Sequence, residues 1–208
     1  MELKKWFINA TVVSGLVTGL VAPVAHVTTV LAEDAQVETA DEATSLEDWE
    51  GTWNNMGAYL DKDEIQKAFD ELAEKEGVTP EEAKKTYEEK RHCDFNGLVV
   101  EGDTVKFLDK FEDEEGHKVI SESEYEFVEN QVVEHGSQEL TWSIFKAKDE
   151  NADYKFLCLM EVHGEEALTH FHLRYGDTIE EAMADDSWYP TFVKPSSTTD
   201  QIITEITE

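Results

Sequence analysis

Three histidines lie close together in the segment HGEEALTHFHLRYG, which covers residues 163–176. On an extended strand, residues i and i+2 point to the same side, so His170 and His172 present neighbouring imidazole rings. The segment DYKFLCLMEVH ends at His163 and is typical of a preceding strand. If the two strands pair as a hairpin across the GEEA turn, His163 comes within reach of both rings. The spacing therefore predicts a cluster of three imidazoles.

Such a cluster is suited to a divalent transition metal. Three neutral imidazole nitrogens leave the fourth position of a tetrahedral Zn²⁺ open for water or another ligand. Imidazole also binds Cu²⁺, Ni²⁺ and Co²⁺, so geometry and availability decide which metal is held. We therefore predict that the metal ligands are His163, His170 and His172. Three other histidines are isolated along the chain and are predicted to be surface residues: His92, His117 and His135.

Arg174 lies on the same face of the predicted strand as His170 and His172. Two roles are consistent with this position. Arg174 either hydrogen-bonds a carboxylate and shapes the surroundings of the histidines, or it forms an ion pair at the rim of the barrel. Carboxylates that accept the second ring N–H of each imidazole are also expected around a histidine–zinc site.

The strands that must position these histidines form a series between residues 94 and 176. Each shows the alternation of apolar and polar residues that is typical of a half-buried strand, and short turns separate them. Six closely spaced strands predict an up-and-down antiparallel sheet that closes into a small barrel. They are the two halves of DFNGLVVEGDTVKFLD around Gly102-Asp103, then HKVISESEYEFVE, ELTWSIFKAK, DYKFLCLMEVH and LTHFHLRYG.

Helices are predicted before this sheet. In SLEDWEGTW, Ser45 gives a helix-start signal and places Trp49 and Trp53 one helical turn apart. Residues 63–76 have the apolar spacing of an amphipathic helix that ends at Gly77. A second helix follows, with Thr79 as its cap, Pro80 in the first position and Glu82 completing a capping box.

Two more helices are predicted after the sheet. TIEEAMADD carries a capping box from Thr178 to Glu181, and STTDQIITEITE closes the sequence as a short amphipathic helix. The fold class expected from the whole pattern is mainly β, with N-terminal and C-terminal helices attached to the barrel.

The N-terminal segment predicts export. A basic start, MELKK, precedes an apolar stretch and the small-residue pattern TTVLA, so residues 1–32 are interpreted as a signal peptide cleaved after Ala32. An uncleaved membrane anchor is the alternative, since the stretch is long enough. Residues 33–44, EDAQVETADEAT, are acidic and lack apolar periodicity, which predicts a disordered leader. Residues 45–208 then form one domain of a secreted protein with no stable membrane anchor.

The charge of the chain excludes two classes of partner. The formal net charge is −31 over 208 residues. Nucleic acid and anionic membrane surfaces are repelled by this field, over a Debye length of about 8 Å at physiological salt. The same field attracts metal cations. A hydrophobic content of 40% still supplies enough apolar residues for a core.

The chain has two cysteines, Cys93 and Cys158. In an exported protein this even number allows one disulfide, with two free buried thiols as the alternative. A thiolate zinc site is disfavoured, because neither cysteine has a companion at metal-binding spacing.

Three segments carry a resemblance to a known family: HFHLRYG, EEAMADDSWYPTFVK and SLEDWEGTWNNMGAYL. Together they resemble the ZinT family of exported zinc-binding proteins, which also occur as the C-terminal domain of certain zinc-transporter lipoproteins. The similarity runs from about Ser45 to the C-terminus. It implies a lipocalin-like (calycin) antiparallel β-barrel that binds zinc near the barrel mouth through His163, His170 and His172.

The function that this resemblance implies is zinc acquisition. We expect a non-enzymatic protein that captures Zn²⁺ outside the cytoplasm and passes it to the solute-binding protein of a zinc ABC transporter. A secreted zinc-dependent hydrolase is one alternative, with Glu161 as the candidate base near His163. A lipocalin-like carrier of a small apolar ligand is another.

Overall fold

A computed structural model describes residues 44–164 and 168–207. The predicted signal peptide, and the acidic leader up to residue 43, lie outside the described residues. Within the described part, the helices are α1 (Gln66–Glu76), α2 (Pro80–Arg91), α3 (Ile179–Ala182) and α4 (Thr199–Thr207). The strands are β1 (Gly51–Asn55), β2 (Gly97–Glu101), β3 (Thr104–Leu108), β4 (Val119–His135), β5 (Gln138–Ala147), β6 (Phe156–Met160), β7 (His170–Gly176) and β8 (Thr191–Val193).

The eight strands of the described residues form a closed barrel in which each strand pairs with its sequence neighbour. Every pairing is antiparallel, and β1 closes the barrel against β8 through the pairs Asn54↔Val193 and Asn55↔Phe192. Closure removes the free edges that an open sheet would expose. The predicted lipocalin-like antiparallel barrel is confirmed.

The barrel interior is filled by large apolar side chains. Alternation along each strand sends every second residue inward: in β7, Phe171 and Leu173 point into the interior and are each 1% exposed. Trp53 packs edge-on against Phe171, with ring centroids 4.8 Å apart. The buried residues of this cluster are Leu46, Trp49, Trp53, Phe95, Leu98, Val100, Val105, Phe107, Tyr125, Phe145, Ala147, Leu157, Leu159, Phe171, Leu173 and Phe192.

Helices α1, α2 and α4 cover part of the outer face. The helix predicted over residues 63–76 begins as a 3-10 turn at Asp63–Ile65 and continues as α1, which ends at Gly77 in the left-handed conformation with φ 74°. The capping box between Thr79 and Glu82 begins α2 as predicted. Apolar faces of these helices pack with Val193 and Leu168 of the barrel wall. None of the helices in residues 44–164 and 168–207 has the length and apolar content needed to span a bilayer.

The prediction for the first segment was wrong in part. Ser45 caps a 3-10 helix, Leu46–Trp49, but the chain then enters strand β1 at Gly51, whose φ of 110° turns the backbone. Trp49 and Trp53 are therefore not one turn apart on a helix. Both still reach the interior core, and the indole N–H of Trp53 donates to the Trp49 carbonyl at 2.7 Å. Strand β8 was also missed, because only three residues form it.

Both cysteines are free thiols rather than a disulfide. Cys158 lies on the outer face of β6 beside Ala182 of α3, whereas Cys93 packs against the interior cluster. Burial raises the pKa of each thiol to about 12. Neither sulfur is therefore present as the thiolate that metal binding requires.

Candidate metal site

His170 and His172 lie on the outer face of the barrel wall. They alternate along β7 with Phe171, whose side chain points into the interior core, so both imidazoles face away from that core. His170 pairs with Val193 of β8, and His172 pairs with Thr191. The two rings have centroids 5.3 Å apart, as their shared face requires. His170 is 7% exposed, and His172 is half-buried.

A change of register turns His163 to the same face. Strands β6 and β7 pair regularly up to Leu159↔Leu173, and the next pair recorded is His163↔His170. Between these two pairs, four residue steps lead from Leu159 to His163, but only three lead from Leu173 back to His170. One extra residue on one strand is the effect of a β-bulge. In regular alternation, His163 would share the inward side of Leu159. The extra residue instead places it opposite His170, and directly opposed side chains lie on one face.

The resulting pair is held by two backbone hydrogen bonds. The His163 N–H donates to the His170 carbonyl at 2.9 Å, and the His170 N–H donates to the His163 carbonyl at 3.0 Å. Gly164 follows with φ +77°, and a side chain there would collide with the Leu168 carbonyl. Glycine is therefore required at the position where the chain leaves His163.

The three imidazoles converge. One ring nitrogen from each of the three histidines lies within 4.8 Å of the other two. The His163 and His170 rings are closest, with centroids 4.1 Å apart, and those of His163 and His172 are 5.5 Å apart. No acidic residue or cysteine of the described chain belongs to this group. The structure thus brings together the three residues that the sequence predicts, and the other histidines of the described residues, His92, His117 and His135, are exposed as predicted.

Hydrogen bonds orient each ring through its Nδ1 atom. His163 Nδ1 bonds to the Glu161 carbonyl at 2.8 Å, and His170 Nδ1 bonds to the Leu168 carbonyl at the same distance. A carbonyl only accepts, so each Nδ1 carries the hydrogen. His172 Nδ1 lies 3.1 Å from the hydroxyl of Thr191, which itself donates to the Tyr189 carbonyl and so accepts from the ring. Each neutral ring therefore keeps its lone pair on Nε2.

The protein environment favours the neutral imidazoles. Burial lowers the pKa of His170 below its ordinary value. Burial lowers the pKa of His172 further, to about 2, and the nearby positive charge of Arg91 acts in the same direction. Both shifts favour the unprotonated ring, which is the form that binds a metal.

Glu205 of α4 is a site residue that the sequence reasoning missed. Its carboxylate lies 3.9 Å from His170 Nε2, and its side chain is 17% exposed. The only signal in the sequence is its place beside the buried apolar stripe of α4, formed by Ile202 and Ile206. A cavity of about 500 Å³ opens between α4 and the histidines, with Leu168 and Thr204 among its lining residues.

Both contacts predicted for Arg174, a hydrogen bond to a carboxylate and an ion pair at the rim, were wrong. Arg174 is 1% exposed and forms no ion pair with any residue that the structure describes. Its guanidinium stacks over the rings of Trp142 and Tyr189, 4.4 and 4.7 Å from their centroids, and its Nε donates to the Trp188 carbonyl at 2.7 Å. The residue is buried in an aromatic layer outside the barrel, rather than placed at a rim.

Comparison with known proteins agrees with this fold. Residues 25–208 match the family described as ZinT (YodA), periplasmic lipocalin-like zinc-recruitment proteins. The chain belongs to the ZinT family. Among curated proteins, the probable metal-binding protein YrpE of Bacillus subtilis (strain 168) is 25% identical over 150 residues, which are 71% of this chain and 57% of that protein. This ZinT-family chain thus spans little more than half the length of that relative.

Two solved structures share the architecture. The crystal structure of the Zn(II)-bound ZinT-like domain of AdcA from Streptococcus pneumoniae has a TM-score of 0.61 at 20% identity, with 82% of this chain and 94% of that domain covered. Zn(II)-bound AdcA from the same organism also has a TM-score of 0.61, at 19% identity, and the match covers 78% of this chain and 35% of AdcA. At these identities the likeness concerns the fold.

The neutral histidines make the stability of the metal-free protein depend on pH. In the unfolded chain a histidine takes up a proton near pH 6.5, whereas folded His172 stays neutral until about pH 2. The folded state binds fewer protons between these values, so the free energy of unfolding falls as the pH is lowered through 6.5. Urea unfolding with EDTA between pH 7.5 and 5.5 should show this loss.

His172→Gln should reduce the slope of that loss by up to about 1.4 kcal/mol per pH unit, the value for one proton. His92→Gln, at an exposed position, is the matched control and should keep the wild-type slope. Equal slopes in wild type and His172→Gln would contradict the assignment of a buried neutral ring.

Proposed function

We propose that this protein captures one Zn²⁺ outside the cytoplasm through Nε2 of His163, His170 and His172, and supplies the ion to a zinc ABC transporter. The observation that carries the proposal is the convergence of three imidazole nitrogens within 4.8 Å, with each Nδ1 engaged elsewhere. Tetrahedral zinc with bonds of about 2.0–2.1 Å places its ligand atoms about 3.3 Å apart. Small rotations of the side chains are enough to close that gap.

The hydrogen-bond partners of the rings support metal binding. Metal-ligating histidines usually donate their second N–H to a carbonyl, a carboxylate or water, which fixes the ring and raises its basicity. Here Leu168 and Glu161 supply carbonyls, and Thr191 supplies a hydroxyl. The carboxylates expected in this role are absent from these three contacts. Carbonyl and hydroxyl acceptors leave the neutral tautomer in place without adding charge.

Glu205 is proposed to occupy the fourth position. Its carboxylate approaches His170 Nε2 from α4, on the open side of the cluster. Since α4 packs on the barrel through apolar residues such as Ile202, the carboxylate needs only a change of its own side chain to reach a metal held by the three rings. An anionic oxygen ligand is acceptable to zinc and completes a four-coordinate site.

Exchange of the ion is favoured by the position of the cluster. His163 is exposed, and the adjoining cavity is open to solvent on the side of Glu205. An incoming ligand can therefore replace a carboxylate or water without moving the barrel. A structural zinc site, by contrast, holds the ion through four cysteine or histidine ligands. Here the fourth ligand is a single carboxylate beside the cavity.

Delivery to a transporter and export are supported by indirect observations. The family is described as periplasmic and zinc-recruiting, and a ZinT-like domain occurs within the zinc-bound AdcA protein. The N-terminal segment has the pattern of a signal peptide. A net charge of −31 also raises the local concentration of divalent cations around the protein.

The two alternative functions have less support from the side chains. A carrier of an apolar ligand needs room inside the barrel, but side chains such as Trp53, Phe107 and Phe192 are at most 1% exposed there. A hydrolase needs a base at the metal. Glu161 accepts from His163 through its backbone carbonyl, and it lines a separate cavity of about 460 Å³ near Trp49.

A zinc titration tests the capture proposal. The purified protein should bind one Zn²⁺ tightly, and zinc at 100 times its dissociation constant should add about 2.7 kcal/mol to the free energy of unfolding. His170→Ala with His172→Ala should abolish both effects. Glu205→Gln should weaken binding by at least about tenfold, because even the loss of a group that only supports a metal ligand costs about 10–100-fold. The matched control is His92→Ala with His117→Ala, and tight binding retained by the site double mutant would refute the assignment.

Delivery is tested with the zinc-loaded protein and a metal-free solute-binding protein of a zinc ABC transporter. Zinc should move to the second protein faster than it leaves this protein into a chelator of equal affinity, because a docked partner supplies the replacing ligand directly. Equal rates would show release by simple dissociation and would reduce the function to zinc buffering.

A further inference from the structure

Two arginines next to the histidine cluster have no carboxylate partner among the described residues. Arg174 of β7 is 1% exposed, and one of its terminal nitrogens, Nη2, is buried without an acceptor. Arg91, the last residue of α2, has a buried Nε that also lacks one. Removing a guanidinium charge from water without an anion to pair with is costly. A fully buried, unpaired arginine beside a half-buried one, in a chain with a net charge of −31, is unexpected on grounds of stability alone.

Both arginines contact the residue that packs on His172. Arg91 donates from Nη1 to the Tyr189 carbonyl at 3.1 Å, and Arg174 stacks over the Tyr189 ring at 4.7 Å. The Tyr189 ring lies edge-on to the His172 ring, with centroids 5.5 Å apart. Arg174 and His172 therefore contact the same Tyr189 ring, and Arg91 is bonded to the backbone of that residue.

An ion held by the three imidazoles would lie in the field of both guanidinium charges. Arg174 lies two residues from His172 on the same face of β7. Arg91 donates to the backbone of Tyr189, whose ring contacts the His172 ring. Each guanidinium repels a bound cation, and at a given distance the repulsion is twice as large for a divalent ion as for a monovalent ion.

We propose that Arg91 and Arg174 hold the zinc affinity of the three-histidine site below the value that its ligands alone would give, so that the bound ion remains exchangeable. This inference rests on the proposed function of zinc capture and delivery. The overall negative charge and Glu205 attract the ion, whereas the two guanidiniums oppose tight retention at short range. A protein that must hand its ion on needs both effects.

A purely structural role makes a different prediction. If the arginines only hold Tyr189 in place against His172, removing either side chain leaves the His172 ring less well positioned and weakens zinc binding. If their charge sets the affinity, removing the charge while keeping a long apolar side chain strengthens zinc binding. The sign of the change therefore separates the two roles.

The experiment measures zinc dissociation constants by competition with a chromophoric chelator, together with the rate of zinc release. Arg91→Met and Arg174→Met should each bind zinc about tenfold more tightly, the order expected for one charge acting on a divalent ion through a partly screened medium. Zinc release should slow by a similar factor. Arg91→Lys keeps the charge and should bind zinc within about threefold of wild type.

Lys148→Met is the matched control, because it removes an exposed positive charge. Lys148 pairs with Glu124 of β4 and with Asp103 in the turn before β3. Its zinc affinity should equal that of wild type.

Thermal unfolding of each metal-free variant checks the fold. If Arg174→Met does not fold, because Arg174 is fully buried, the zinc affinity of Arg91→Met decides the question. Unchanged or weaker zinc binding in the folded methionine variants would overturn the inference and leave zinc capture intact. Absence of zinc binding in wild type would instead overturn the proposed function.

Discussion

The site depends on the cross-strand pairing of His163 with His170. Two reciprocal backbone hydrogen bonds join these residues. Between the regular ladder and this pair, the strand that leads to His163 contains one residue more than β7 does. Without that extra residue, alternation would turn the His163 ring toward the barrel interior and leave two imidazoles outside. Gly164 then lets the chain turn away where a side chain would meet the Leu168 carbonyl. Backbone geometry, rather than any affinity between the rings, brings the three imidazoles together.

The barrel makes this geometry rigid. Phe171 and Leu173 anchor β7 in the interior core, and β8 holds the outward residues from the other side through its pairing with His170 and His172. Thr191 of β8 both orients His172 and donates to the Tyr189 carbonyl, so one hydroxyl links the ligand to the aromatic layer outside the wall. The charges around the site have two different origins. The negative charge is a property of the whole chain, whereas the positive charges of Arg91 and Arg174 lie beside Tyr189, which packs on His172.

The sequence predicted the parts of the molecule that depend on local patterns. The H-x-H spacing of His170 and His172, the capping box at Thr79 and the left-handed stop at Gly77 are all short-range features, and each is confirmed. The parts it did not predict depend on distant pairings. Strand β8 is only three residues long and is defined by its partners β1 and β7.

Long-range packing also explains what was missed around the site. Glu205 reaches His170 from α4, and Arg91 reaches Tyr189 from the end of α2, and no local pattern marks either approach. Arg174 shares the face of the two histidines, which suggested an ion pair to one of the many acidic residues. The aromatic rings of Trp142 and Tyr189 surround it instead, and their positions follow only from the closed barrel and the segment before β8.

The most direct test of whether three imidazoles coordinate one ion is X-ray absorption at the zinc edge. The sample is protein loaded with one equivalent of Zn²⁺. The account predicts four light-atom ligands at about 2.0–2.1 Å, with the multiple-scattering pattern of three imidazole rings. A first shell that contains sulfur, or six oxygen ligands with fewer than two imidazoles, would contradict it.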